Sequence, residues 1–156
     1  LKNLADNVYV KIPVTNSLGV SSAPLVKKLS NEGIKLNVTA IFTKTQIQDI
    51  YESLNPEIPA VISIFAGRIA NAGIDPEPIM QFASELASDK EKIEILWASP
   101  REPFNVIQAD RTGCHIITMT PEQVKATSTF GKDLNEYSIE TVKMFYDDAV
   151  ESGFNL

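Results

Sequence analysis

The sequence predicts an α/β protein in which parallel strands alternate with helices, and within that class a (β/α) barrel. Three observations carry the prediction. Short apolar runs of strand-forming residues recur five times along the 156 residues, each followed by a helix-type pattern. Strands that short and that apolar belong to a parallel sheet covered by helices. The loops after the strands carry Thr15, Thr43, Arg68, Arg101 and Thr120, with no Gly-rich turn of the kind a dinucleotide-binding, doubly wound sheet would show. Polar residues at the carboxyl ends of strands are where barrel enzymes keep their sites.

The elements follow in order. Val8–Val14 reads as the first strand, with Lys11 at its centre. Ser21 or Ser22 caps a helix through Pro24, Val26 and Leu29 that Gly33 stops. Leu36–Phe42 (LNVTAIF) is the second strand, and Thr43 with Gln46 forms a capping box opening a helix through Ile47, Ile50 and Leu54. Ala60–Phe65 (AVISIF) is the third strand. Asp75-Pro76 starts a helix with Ile79, Phe82, Ala83 and Leu86 on one face. Ile93–Ala98 (IEILWA) is the fourth strand, Glu102–Arg111 the next helix and His115–Met119 (HIITM) the fifth strand. Thr120-Pro121 opens a short helix, and Ser138 caps a last one over Ile139–Glu151.

Composition narrows the function classes. The chain is long enough for a single domain, residues 1–156, with a substantial core. Hydrophobic residues at 44% and charged residues at 22% are ordinary for a globular protein. A net charge of -6 with no basic stripe argues against a nucleic-acid surface. No apolar stretch is long enough for a membrane span. A lone Cys114 beside a lone His115 makes neither an internal disulfide nor a structural zinc site, and a cytoplasmic setting is expected.

Alternation along the strands places polar groups inside apolar runs. Tyr9, Lys11 and Pro13 share one face; so do Asn37 and Thr39; so do Ser63 and Phe65. In the fourth strand Trp97 and Ser99 share a face, with Arg101 just beyond. Taken singly, each has a bland reading: Lys11 with its head in solvent, Asn37 and Thr39 satisfying backbone, the arginines as surface charges. Co-occurrence at one end of consecutive strands argues otherwise, because sequences break local rules mostly at functional sites. A lysine withdrawn from water is a nucleophile that adds to a carbonyl as a Schiff base. Arg68, Ser99 and Arg101 have guanidinium and hydroxyl donors suited to phosphate.

KIPVT (Lys11–Thr15), NVTAIF (Asn37–Phe42), SIFAGRI (Ser63–Ile69), ASPR (Ala98–Arg101) and GCHIIT (Gly113–Thr118) come in the order, and close to the spacing, of the transaldolase family, which includes the fructose-6-phosphate aldolases. The chain resembles that family over nearly its whole length. The resemblance implies a (β/α)8 TIM barrel of which this chain covers about five units, strands 4–8. It implies that Lys11 forms the Schiff base with a ketose phosphate, that Asn37 and Thr39 position water and substrate hydroxyls, that Ser63 and Phe65 line the site, and that Arg68, Ser99 and Arg101 bind phosphate. No cofactor or metal is then required, since the lysine supplies the electron sink. Phe65 favours the transaldolase branch, the aldolase branch resembling it with Tyr there. The segment from Ser138 to Leu156 is similar to that of small-subunit members that assemble as ring-like homo-oligomers.

The chain departs from the family in lacking a match to strands one to three, and with them the acid–base Asp and Glu. Asp75 and Glu102 lie beyond their strands and read as helix-start residues. The natural protein is therefore expected to be longer. The alternatives are an aldolase releasing free dihydroxyacetone, an inactive partial barrel serving as an interaction module, and a phosphosugar-binding barrel using other chemistry.

Overall fold

The computed structural model describes residues 5–154. Five strands are laid down in chain order, all parallel: β1 (Val10–Pro13), β2 (Leu36–Ile41), β3 (Ala60–Ile64), β4 (Ile93–Trp97) and β5 (Ile116–Ile117). Between them run α1 (Ala23–Asn31), α2 (Lys44–Ser53), α3 (Ala66–Asn71), α4 (Glu77–Ala87) and α5 (Asn105–Arg111). After β5 come α6 (Pro121–Ala126), a 3-10 turn at Thr127–Thr129 and α7 (Leu134–Glu151).

Sequential strand order separates the two candidate folds. A doubly wound sheet reverses its strand order and carries helices on both faces. Here the order never reverses, and one core gathers Val26 of α1, Ile47 and Ile50 of α2, Ile69 of α3, Met80 and Ala83 of α4 and Ala109 of α5 against Ile12, Val38, Ile62, Ile95 and Trp97 of the sheet. The other face holds only a small cluster of Val61, Leu96 and Ala98, with Tyr9, Phe65 and Ile116 packed on it. Helices outside and strand side chains inside make five β/α units of a TIM-type barrel.

Local chemistry explains where the elements begin and end. Thr43 and Gln46 form the expected capping box at the start of α2, and Thr120 with Gln123 does the same for α6. Gly33 takes a φ of +75° just past α1, where only glycine is unstrained. The Ser21 hydroxyl accepts from Ala23 N–H at 3.2 Å, and Asp75 Oδ1 accepts from Glu77 N–H at 3.0 Å.

Four sequence expectations are corrected. The α3 turn was not foreseen. The helix predicted from Glu102 begins at Asn105, because Asn105 Oδ1 accepts from the backbone N–H groups of Arg101 and Glu102 and holds those residues in a turn. The last helix starts at Leu134, its cap being Asp133, whose Oδ1 accepts from the Asn135 and Glu136 N–H groups, not Ser138. Trp97 faces the helices, not the interior, and Ser99 lies beyond the strand in a left-handed conformation that breaks the alternation.

Candidate active site

The inner face of the sheet is built by parity and register. Lys11 pairs with Asn37, Asn37 with Val61 and Val61 with Glu94, so these four form one row across β1 to β4. One step nearer the carboxyl ends lie Thr39 on β2 and Ser63 on β3, both buried. β2 then bulges: Ala40 has a φ of +59° and the register with β3 shifts between Val38 and Ile41. A non-glycine residue at positive φ costs of order 1–3 kcal/mol and persists where the surroundings impose it. Here the bulge lies next to Thr39.

Asn37 Oδ1 and Thr39 Oγ1 are buried without a hydrogen-bond partner among the described residues. Buried polar atoms are normally paired, and two unpaired ones on the face that carries Lys11 mark a surface made to receive polar groups. Lys11 itself is exposed. The sequence reading expects its amine withdrawn from water; among the described residues β1 has a sheet neighbour on one side only, β2, and the strand's inner face is uncovered there.

The rim at the carboxyl ends is more tightly built. Ser99, like Ala40, has a φ of +59°. Gly67 N–H donates to Ala98 carbonyl at 3.2 Å, and a Cβ on Gly67 would stand 1.6 Å from the Ser99 carbonyl oxygen. Only glycine fits that approach of the loop after β3 to the loop after β4. Arg101 Nε donates to Asn71 Oδ1 at 3.2 Å and to Gly67 carbonyl at 3.4 Å. The Arg68 guanidinium lies 5.2 Å from the Phe65 ring centroid, and Phe65 in turn meets Phe42 at 5.8 Å. A cleft of about 460 Å3 opens here, lined by Ser99, Pro100, Arg101, Thr118, Thr120 and Gln123 among others.

Several residues of the site were not foreseen. Asn105 is buried beneath the Arg101 turn and passes its own Nδ2–H to Gln108, which donates to Glu77. Gln123 Nε2 donates to Pro100 carbonyl at 2.9 Å, bracing the loop from the far side of the cleft. His115 is a backbone partner: Ile95 N–H donates to its Nδ1 at 3.0 Å. Burial raises the Cys114 thiol, whose Sγ lies 3.2 Å from the carbonyls of Ile95 and Ile116. Among the described residues no group of three or more His, Cys, Asp and Glu is placed to hold a metal ion, and no helix is long and apolar enough to cross a membrane.

The class defined by this geometry is a TIM-type barrel segment with polar strand ends on its inner face and a basic, hydroxyl-bearing rim at the carboxyl ends of β3 and β4. Residues 1–156 match the family described as Transaldolase/Fructose-6-phosphate aldolase, and the chain belongs to that family. It is 33% identical over 123 residues to a probable transaldolase of Nitrosopumilus maritimus, covering 78% of this chain and 52% of that one. A probable transaldolase of Bdellovibrio bacteriovorus is 31% identical over 150 residues (95% and 63%), and one of Clostridium botulinum (strain Hall) is 34% identical over 153 (96% and 64%). The chain thus spans between about half and two thirds of the length of the curated relatives it matches.

Proposed function

We propose that the chain carries the Schiff-base and phosphate-binding part of a transaldolase-type enzyme, which moves a dihydroxyacetone unit from a ketose phosphate to an aldose phosphate. The observation that supports it is the shared inner face: Lys11 in one row with Asn37, the unpaired Asn37 Oδ1 and Thr39 Oγ1 beside it, and the Ser99–Arg101 rim beyond.

The neutral Lys11 amine attacks the ketone carbon of the substrate; a C–N bond forms and the carbonyl π pair moves to oxygen. The carbinolamine takes up one proton and loses water, leaving an iminium. That cation draws in the electrons of the neighbouring C–C bond as the hydroxyl beyond it gives up its proton and an aldehyde departs. The enamine then adds to the acceptor aldehyde, and water returns to release the product and the amine. Thr39 and Asn37 hold the water and substrate hydroxyls, Ser63 and Phe65 line the cavity, and Arg68, Ser99 and Arg101 bind the phosphate by charge-assisted hydrogen bonds.

Borohydride reduction in the presence of fructose 6-phosphate tests the reading. A mass increment on the peptide containing Lys11, absent from Lys11→Ala, is expected; a folded wild-type chain that gains none overturns it. The family description also covers aldolases, so release of dihydroxyacetone without an acceptor is the companion assay. Rapid release would place the chain on the aldolase side, against the reading of Phe65. We also propose self-association of the chain through α7.

A further inference from the structure

The cleft at the carboxyl ends of β4 and β5 has two walls, and the chemistry above uses one of them. Ser99 and Arg101 come from the loop after β4. Thr118, Met119 and Gln123 come from the end of β5 and from α6.

Backbone pairing fixes where Thr118 stands. Ile116 pairs with Leu96 and Ile117 with Trp97, and Thr118 N–H donates to the Trp97 carbonyl at 3.2 Å. That places Thr118 beside Ala98, the residue before Ser99. Ile116 packs on the inner cluster of Val61, Leu96 and Ala98. Two residues further on, Thr118 returns to the same inner face by strand alternation. It is the counterpart on β5 of Thr39 on β2 and Ser63 on β3, but where those two are buried Thr118 is exposed and lines the cleft.

Most other polar groups around the cleft are already engaged by the fold. Thr120 Oγ1 accepts from Gln123 N–H at 3.2 Å, and Gln123 Oε1 accepts from Thr120 N–H at 3.0 Å. Gln123 Nε2 donates to the Pro100 carbonyl between Ser99 and Arg101, so the two walls are tied directly across the cleft. Arg101 is anchored through Nε, on Asn71 Oδ1 and the Gly67 carbonyl. Its Nη groups and the hydroxyls of Ser99 and Thr118 make no hydrogen bond among the described residues, and none of the lining residues is acidic. The groups left to a ligand are one guanidinium and two hydroxyls, all able to donate. A sugar hydroxyl offers such a set no charge to pair with Arg101. A phosphate ester offers negative charge and several acceptor oxygens at once.

We propose that Thr118 is a substrate-binding residue, its hydroxyl donating to the phosphate that Ser99 and Arg101 hold from the opposite wall. This role rests on the reading of the Ser99–Arg101 rim as a phosphate site, and adds to it a donor from β5 that selects phosphorylated sugars.

Titration calorimetry on the full chain, with fructose 6-phosphate and with inorganic phosphate alone, tests it. Thr118→Val keeps the shape of the side chain and removes the donor. Its affinity for both ligands is expected to fall about tenfold, as for loss of a hydrogen bond to a charged group. Thr118→Ser keeps the hydroxyl and is expected to bind as the wild type does. Wild-type affinity in a folded Thr118→Val chain overturns the proposal. Should valine unsettle β5, Thr118→Asp sets a like charge against the phosphate at an exposed position, and full binding by that variant overturns the proposal equally. Arg101→Ala separates the two readings. Binding that Arg101→Ala abolishes and Thr118→Val leaves intact removes Thr118 and keeps the rim, whereas a wild-type chain that binds neither ligand removes both.

Discussion

Gly67 and Ser99 show how single residues set the rim. The Ser99 carbonyl occupies the space a Gly67 side chain would need, and Ser99 itself is held at positive φ. Gly67→Ala must push the two loops apart, at a cost of about 1–3 kcal/mol as for other overpacked sites. We expect its affinity for fructose 6-phosphate to fall at least tenfold, as titration calorimetry would show, and its urea midpoint to drop; an unaltered affinity would mean the rim does not bind the phosphate. Ser99→Gly separates stability from binding. Glycine relieves a strained φ, about 1 kcal/mol, while the hydroxyl donor is lost, so the variant should be as stable as the wild type or more so, yet bind phosphate more weakly. A stability loss together with full binding would contradict both halves. This behaviour was only half visible in the sequence. The residues of ASPR and AGR are legible as a phosphate motif by resemblance, but the strained φ and the backbone approach are products of packing between β3 and β4 that no local pattern encodes.

At the scale of elements, side chains standing in for backbone explain which boundaries could be read and which could not. The Thr43–Gln46 capping box and the helix start at Thr120-Pro121 are short-range signals and lie where the sequence places them. The start of α5 is displaced because Asn105 serves the turn before it, and β5 is only two residues long, with His115 Nδ1 accepting from Ile95 N–H beside it. Neither device has a periodic signature. Asn105→Ala leaves two loop N–H groups without their acceptor and should cost about 1–3 kcal/mol by chemical denaturation, with weakened phosphate binding as its specific mark. The same network ties α5 to α4 through Glu77, which accepts from both Gln108 and Arg111. The Arg111 hydrogen bond, ahead of the other causes, holds the Glu77 carboxyl below its usual value of 4.5. A carboxyl depressed in the folded state stabilises above its unfolded pKa, and that contribution is lost as the pH falls through the folded one. Stability should therefore decline from about pH 5 downward, and Glu77→Gln should flatten that decline in denaturation curves taken from pH 6 to 3. Equal slopes for the two proteins would remove Glu77 from the account.

For the whole molecule, the contrast between the two faces of the sheet decides what is settled inside one chain and what is not. The outer face is closed: Ile62, Ile64, Ile95 and Trp97 are almost wholly buried against helices, as the alternation of short apolar strands and amphipathic helices predicts. α7 is different. None of its residues is buried, and Leu134, Val142, Phe145, Tyr146 and Val150 all stand largely in solvent. In proteins most helical stability comes from burying an apolar face rather than from propensity. Large apolar patches left in solvent mark interaction sites. A second copy of the chain is the occupant we propose, in keeping with the homo-oligomer that the family resemblance of Ser138–Leu156 implies. Sedimentation velocity from 1 to 50 µM should then show a species larger than 17.2 kDa whose share grows with concentration. Phe145→Glu combined with Val142→Glu puts charges on that face without touching the core, and should return the chain to monomer while sparing the far-ultraviolet helix signal of α1 to α5. A wild-type chain that stays monomeric at 50 µM would show that the face of α7 is not covered by a copy of this chain.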